Sequence, residues 1–148
     1  MTTGLVIYMV ILAAVLALWE IQIEGKNGWA GKLPCWRIEK GWISKLLGDK
    51  PLTGYHVYMN AFIIILSHLP IFFVKWSIRL ESLLMAFCLG ILLLEDFLWV
   101  VFNPNYGFKK FKKGQIWFRK YWWGPMPRYY WFNATIVILL FYFGWRAI

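Results

Sequence analysis

Carboxylate and histidine side chains occur within or at the edge of apolar segments of this chain, where ionisable groups are costly. They are Glu20, Glu24, His56, Glu95 and Asp96. Carboxylates and imidazoles bind divalent metals inside helical bundles, and carboxylates also act as general acids and bases. The residue types therefore predict a polar site in the membrane that either binds a metal or transfers protons.

The spacing of the polar residues predicts that they lie at one level of the membrane. Glu20 and Glu24 are four residues apart and share a helix face, and His56 and Asn60 repeat this spacing on the next apolar segment. With a rise of about 1.5 Å per residue, the whole set falls near the ends that join the basic loops. The other members of the set are Glu95, Asp96, Asn103 and Asn133. Because facing lipid would cost several kcal/mol, we expect these side chains to turn inward and form a common pocket.

Within this pocket we predict specific roles. Glu95 and Asp96 are the predicted catalytic acid–base groups, because they lie too deep in their segment to reach water on short side chains. The predicted metal ligands are Glu20, Glu24, His56, Glu95 and Asp96, and the ions that suit them are Mn, Fe or Zn. Asn60, Asn103 and Asn133 are expected to hydrogen-bond around the ligands. Neither Glu-x-x-His nor His-Glu-x-x-His, the usual motifs of helical metal sites, occurs in the chain.

Two other interpretations of the buried charges stay open at this stage. In the first they are structural: Glu20 and Glu24 pair with Lys26 or Arg37, and a lysine of a loop pairs with the acidic residues of the third apolar segment. In the second, one of those acidic residues exchanges protons or binds a cationic group during transport.

The elements that must position these residues are transmembrane helices. The chain has 148 residues, of which 61% are hydrophobic, well above the roughly 45–50% of soluble domains. Four apolar stretches approach the length of about 20 residues that spans a bilayer, at approximately 4–23, 54–74, 80–101 and 129–145. The predicted fold class is an all-α integral membrane protein with four transmembrane helices, forming a single membrane domain over residues 1–148.

The distribution of basic residues predicts the orientation. The formal net charge is +9, and lysine and arginine concentrate in the loops at about 25–53 and 102–128, here called the first and second basic loops. By the positive-inside rule both loops are cytoplasmic and both termini face outward. Each loop also contains three tryptophans, so we expect an interfacial aromatic and basic cap. The predicted location is the cytoplasmic, or inner, membrane of a prokaryote.

The cluster of lysines in the second basic loop predicts contact with lipid. Anionic headgroups are the expected partners of Lys109, Lys110, Lys112 and Lys113. Nucleic-acid binding is not expected, because no base-reading motif accompanies the charge.

Two functions remain open from the sequence. The first is an enzyme, metal-dependent if the site holds an ion, that acts on a lipid or other amphiphile. The alternative is a small transporter or binding protein, or a non-catalytic accessory subunit, which works as a homo-oligomer or in a larger membrane complex.

Overall fold

The computed structural model describes residues 2–145, and the protein is mostly helical, at 64%. The α-helices are α1 (Thr2–Glu24), α2 (Trp42–Leu46), α3 (Gly54–Ser67), α4 (Ile78–Phe102) and α5 (Arg128–Gly144). Two short antiparallel strand pairs lie in the basic loops. They are β1 (Arg37–Ile38) with β2 (Leu52–Thr53), and β3 (Trp122–Trp123) with β4 (Met126–Pro127).

Among the described residues, three helical segments are long and apolar enough to cross a membrane. They are Thr3–Glu24, Gly54–Phe72 and Ile78–Phe102. The fourth predicted segment forms α5, whose 17 residues rise about 26 Å at 1.5 Å each. This is slightly less than the hydrocarbon thickness of about 30 Å, so length and composition support three spans.

The helix α4 is the centre of the bundle. It packs along both α1 and α5, whereas α3 meets it over a short stretch only. Two glycines permit close approach: a Cβ atom on Gly90 would overlap the Met9 side chain, and one on Gly144 would lie 2.6 Å from the backbone nitrogen of Leu83. Because α3 contacts α4 over only a short stretch, a space remains between α3 and the rest of the bundle.

The helix α3 ends earlier than its apolar stretch. It stops at Ser67, and a 3-10 helix, Leu69–Phe72, follows, whereas the sequence predicts helix as far as residue 74. The reason is Pro70, which has no backbone N–H to donate and favours a tight first turn. Together the two pieces still make a continuous apolar segment.

Both basic loops cover the same end of the bundle. α1 and α4 end there, and α3 and α5 begin there. The buried cluster at this end joins α1, α4 and the second basic loop, and its members are Ala17, Ile21, Trp99, Val100, Ile116 and Phe118. Pairing of Arg37 with Thr53 in the first basic loop places the start of α3. The loops thus fix the ends of the helices that carry the predicted polar residues.

Candidate metal centre and its cavity

The last turn of α1 supplies two buried carboxylates. Glu20 and Glu24 lie one turn apart on the same face. The chain then folds back so that the backbone N–H of Ala30 donates to Glu24 Oε1 at 2.5 Å. Trp29 and Ala30 both have a φ of 49°, a left-handed conformation that is costly for residues with a side chain. The backbone of the first basic loop is therefore strained at these two residues, where the loop wraps around the end of α1.

The histidine of the site is oriented from three sides. His56 lies in the first turn of α3, where Thr53 caps the helix by accepting from the His56 backbone N–H. The Thr53 hydroxyl also meets His56 Nδ1 at 2.7 Å, and the Trp29 ring stacks on the imidazole with centroids 4.3 Å apart. With Nδ1 engaged, Nε2 faces Glu24 Oε1 at 3.7 Å. Metal-binding histidines characteristically use one nitrogen for the ion and the other for an orienting hydrogen bond.

These three residues form a group that could hold a metal ion. One oxygen each from Glu20 and Glu24 and one ring nitrogen of His56 lie within 4.8 Å of one another. Ligand bonds of about 2.0–2.2 Å would bring such atoms around a single ion after small side-chain rotations. Two carboxylates and one imidazole suit Mn, Fe or Zn. Part of the predicted ligand set is thus assembled, whereas Glu95 and Asp96, the other two predicted ligands, have different surroundings.

Glu95 lies next to this group. It is buried on α4, and its carboxyl group neighbours that of Glu20. In the described part of the chain, neither Glu95 Oε1 nor Glu20 Oε1 has a hydrogen-bond partner, and the same holds for the buried indole N–H of Trp99 one turn further along. Unpartnered buried polar atoms are expensive, so these atoms offer hydrogen-bonding capacity to a ligand, an ion or water beside the three metal-ligand candidates.

Asp96 points to different partners. Its carboxylate pairs with the guanidinium group of Arg119 in the second basic loop, and it accepts hydrogen bonds from the hydroxyl groups of Tyr129 and Tyr130 at the start of α5. Pairing of this acidic residue with a loop cation matches one structural interpretation made from the sequence, with an arginine in place of a lysine. The contact ties the second basic loop and α5 to α4.

The pairing expected for Glu20 and Glu24 takes another form. Arg37 donates to the backbone carbonyl groups of Ala30 and Leu33, at 2.5 and 2.9 Å, and braces the turn that surrounds Glu24. The arginine supports the carboxylate site through the backbone.

A cavity of about 850 Å³ opens beside the three ligands. One part of its wall is charged, with the carboxylates, His56, Lys50 and Arg119. Another part is apolar and comes from α3, α4 and α5. The apolar lining residues are Met59, Leu89, Leu92, Leu93 and Phe132. A cavity with one charged wall and one apolar wall fits an amphipathic molecule better than a simple ion.

The predicted asparagines have different surroundings. Asn60 donates to the His56 carbonyl of its own helix at 2.6 Å, and both Asn60 and Asn133 line the cavity. Asn103 is fully buried, donates to the Gly25 carbonyl at 2.8 Å and accepts from the Asn105 backbone. It thereby joins the ends of α1 and α4.

The four lysines predicted to bind headgroups are exposed and do not line the cavity. Lys110 donates to the backbone carbonyl of Asn105 at 2.8 Å. Their sidedness and exposure suit general contact with a charged surface, at a distance from the three metal-ligand candidates.

Sequence reasoning missed Lys50 and Arg119 as residues of the cavity. Both are among several basic residues of their loops, and nothing in their local sequence separates them from exposed neighbours. In the fold Lys50 is 8% exposed and Arg119 is 5% exposed. Burial lowers the pKa of Lys50 well below its usual value of 10.5, the charge of Arg119 lowers it further, and Glu24 partly opposes these effects.

The chain matches no protein-family model, no curated protein and no solved structure.

Proposed function

We propose that this protein is a membrane enzyme that binds a divalent metal through Glu20, Glu24 and His56 and acts on a lipid or another amphiphile. The observation that carries the proposal is the convergence of three ligand atoms within 4.8 Å, two from buried glutamates and one from the partly buried His56, on the wall of a cavity that also has an apolar side. The cavity volume is within the range of about 300–1,000 Å³ typical of small-molecule sites.

The proposed topology has four spans, with α5 as the fourth. It packs along α4 over its length, and its outward residues are large and apolar, including Ile138, Leu139 and Tyr142. Local thinning of the bilayer accommodates a short helix at modest cost. With four spans both basic loops face the cytoplasm and both termini face outward, in the inner membrane of a prokaryote.

The two acidic residues of α4 have separate roles in this proposal. A bound divalent ion would polarise a substrate oxygen or lower the pKa of a water molecule. Glu95, buried beside Glu20 with one free oxygen, is the general acid–base group. Asp96, already engaged by Arg119 and two tyrosines, is a positioning residue that holds the loop over the cavity.

The test is elemental analysis of purified protein. We expect close to one equivalent of Mn, Fe or Zn in the wild type and its loss in Glu24→Gln, which keeps an acceptor for Ala30 but removes the charge. Glu81→Gln is the matched control, because Glu81 also faces a histidine, His68, at 3.1 Å, but lies at the other end of the bundle. Glu95→Gln should retain the metal. Absence of metal in the wild type, or equal metal in all variants, would refute the proposal.

One observation favours a second candidate, a subunit or transporter in a larger membrane complex. The helix α3 contacts α4 only briefly, and its outward side chains Tyr58, Phe62 and Ile65 are 59–70% exposed. A partner helix, including one from a second copy, would fit against this face. Mass measurement in nanodiscs separates the two cases: a monomer supports the enzyme, and an obligate oligomer supports the alternative.

A further inference from the structure

Lys50 is a buried basic residue that makes no direct ion pair with a carboxylate among the described residues. It follows α2 in the first basic loop, and its side chain lines the cavity. Among residues 2–145 its ammonium group takes part in no salt bridge or side-chain hydrogen bond. Its nearest polar interaction is with the face of Trp29, with Nζ 3.3 Å from the ring centroid. A cation over an aromatic ring is only partly compensated for the water it has lost.

Arg119 is a second buried cation in the same cavity, and it is incompletely paired. Asp96 takes one terminal nitrogen of the guanidinium group, whereas the buried Nε has no hydrogen-bond partner among the described residues. Guanidinium groups present several donors in one plane, which suits bidentate recognition of phosphate. The ion pair with Asp96 attaches the second basic loop to α4, and the Nε–H of Arg119 is still able to donate to a ligand.

The two cations converge on one aromatic ring. Lys50 Nζ is 5.8 Å from the centroid of the Tyr129 ring, and the central carbon of the Arg119 guanidinium is 4.6 Å from the same centroid. Like charges placed close together in a buried region repel each other. Asp96 and Glu24 offset part of this repulsion, and an anion between the two cations would offset more of it.

We infer that Lys50 and Arg119 form an anion-binding subsite that receives a phosphate group, with Lys50 supplying a point charge and Arg119 a free N–H. The identification of this phosphate as the headgroup of an amphiphile rests on the proposed function, since the apolar wall, with Leu92 and Phe132, would take the chain. The subsite itself requires no metal. It also lies at a different place from the exposed lysines of the second basic loop, where the sequence predicts headgroup contact.

The subsite has a consequence for proton binding. Burial and the charge of Arg119 lower the pKa of Lys50 in the free protein, and the carboxylate of Glu24 partly opposes them. An adjacent phosphate favours the charged form of Lys50. Phosphate binding should therefore take up a proton once the pH exceeds the pKa of Lys50 in the free protein. Above that point the affinity should fall as the pH increases.

The experiment measures binding of dodecyl phosphate by calorimetry to the full chain in nanodiscs of zwitterionic lipid. Because a charged hydrogen bond contributes about 1.5–3 kcal/mol, Lys50→Met should weaken binding about 10- to 100-fold, and Lys50→Arg should restore most of it. The matched control replaces Lys109, Lys110, Lys112 and Lys113 with Gln and should change affinity by less than about threefold. Equal binding by wild type and Lys50→Met would overturn the inference.

Two further arms identify the source of the phosphate and separate this inference from the proposed function. Weaker binding of inorganic phosphate than of dodecyl phosphate supports an amphiphile, whereas equal binding overturns the amphiphilic ligand and leaves a site for soluble phosphate. Dodecyl phosphate should still bind Glu24→Gln, and Lys50→Met should keep the metal content of the wild type. If the wild type binds dodecyl phosphate but holds no metal, the proposed metal site fails and the phosphate subsite stands. If the wild type holds metal but Lys50→Met binds dodecyl phosphate as the wild type does, the phosphate subsite fails and the metal site stands.

Discussion

The contact between Asp96 and Arg119 allows the sharpest prediction about stability. It joins α4 to the second basic loop, and the hydroxyl groups of Tyr129 and Tyr130 complete the surroundings of the carboxylate. Asp96→Asn keeps the size of the side chain and one acceptor oxygen but removes the charge. The guanidinium group of Arg119, with its side chain 3% exposed, would then be a buried cation without the carboxylate that pairs with it.

The expected cost follows from the burial of the pair. Removing one partner of a buried ion pair typically costs 3–5 kcal/mol, because the other charge stays buried and uncompensated. The Asp96 side chain is 22% exposed, so the lower figure, about 3 kcal/mol, is appropriate. For a chain of this length each kcal/mol lowers the Tm by about 2–4 °C. Asp96→Asn should therefore lower the Tm by about 6–12 °C.

The assay is thermal unfolding in detergent, with a second carboxylate of the same region as control. Asp49 faces Lys120 at 4.0 Å, and both side chains are about half exposed. Such surface pairs contribute about 0–1 kcal/mol, so Asp49→Asn should lower the Tm by no more than about 4 °C. If the two variants lose the same stability, burial does not govern the Asp96 contact and the reasoning is wrong.

A double-mutant cycle isolates the pair from its neighbours. Asp96→Asn and Arg119→Met should each destabilise the protein, and the double variant should be more stable than the sum of the two losses predicts. A coupling energy of about 0.5–3 kcal/mol is typical of residues in one network. Strict additivity would mean that the carboxylate is held by the tyrosines and that Arg119 contributes little.

Three other predictions concern separate parts of the protein. Burial lowers the pKa of Lys50 in the folded protein, whereas in the unfolded chain it is about 10.5. Between these two pKa values the Lys50 side chain is protonated in the unfolded chain but neutral in the folded protein. The free energy of unfolding should therefore rise with pH in this window, by up to about 1.4 kcal/mol per pH unit. Chemical unfolding at successive pH values below about 10.5 should show this slope reduced in Lys50→Met, and parallel profiles would contradict it. In the same assay Gly144→Ala should lower the free energy of unfolding by about 1–3 kcal/mol, because the new Cβ meets the α4 backbone. Gly90→Ala should lower it by less, because there the Cβ overlaps a movable methionine side chain. Equal losses of stability would argue against a backbone contact at Gly144. An impermeant maleimide applied to intact cells should label Lys75→Cys, in the loop between α3 and α4, but should reach the native Cys35 only after permeabilisation, and the opposite result would reverse the proposed orientation.

Helical structure and part of the site could be predicted from local pattern. Apolar run length identified the three segments that can cross a membrane, because lipid requires each backbone group to be satisfied within its own helix. The spacing of Glu20 and Glu24 placed both on one face of α1, and the common end of the helices brought His56 to the same level. The extent of the second helix differed, since Pro70 ends α3 as a regular helix at Ser67.

The different neighbours of Glu95 and Asp96 could not be predicted from the sequence. The two residues are adjacent in sequence and therefore point about 100° apart on α4, so one faces Glu20 and the other faces Arg119. Which side chain meets which neighbour depends on the rotation of α4 between α1 and α5. That rotation is set by the packing of entire helices, which no short stretch of sequence contains.

The sequence by itself determined where apolar segments run, where basic residues concentrate and which helix faces carry acidic groups, because these properties depend on residues a few positions apart. Only the tertiary structure decided which cations are buried. Lys50 and Arg119 resemble the exposed basic residues around them in sequence, and they differ because the loops fold back over the open end of the bundle. Burial of a loop residue depends on contacts with distant elements, here Trp29 and Tyr129, and a local pattern holds no information about those contacts.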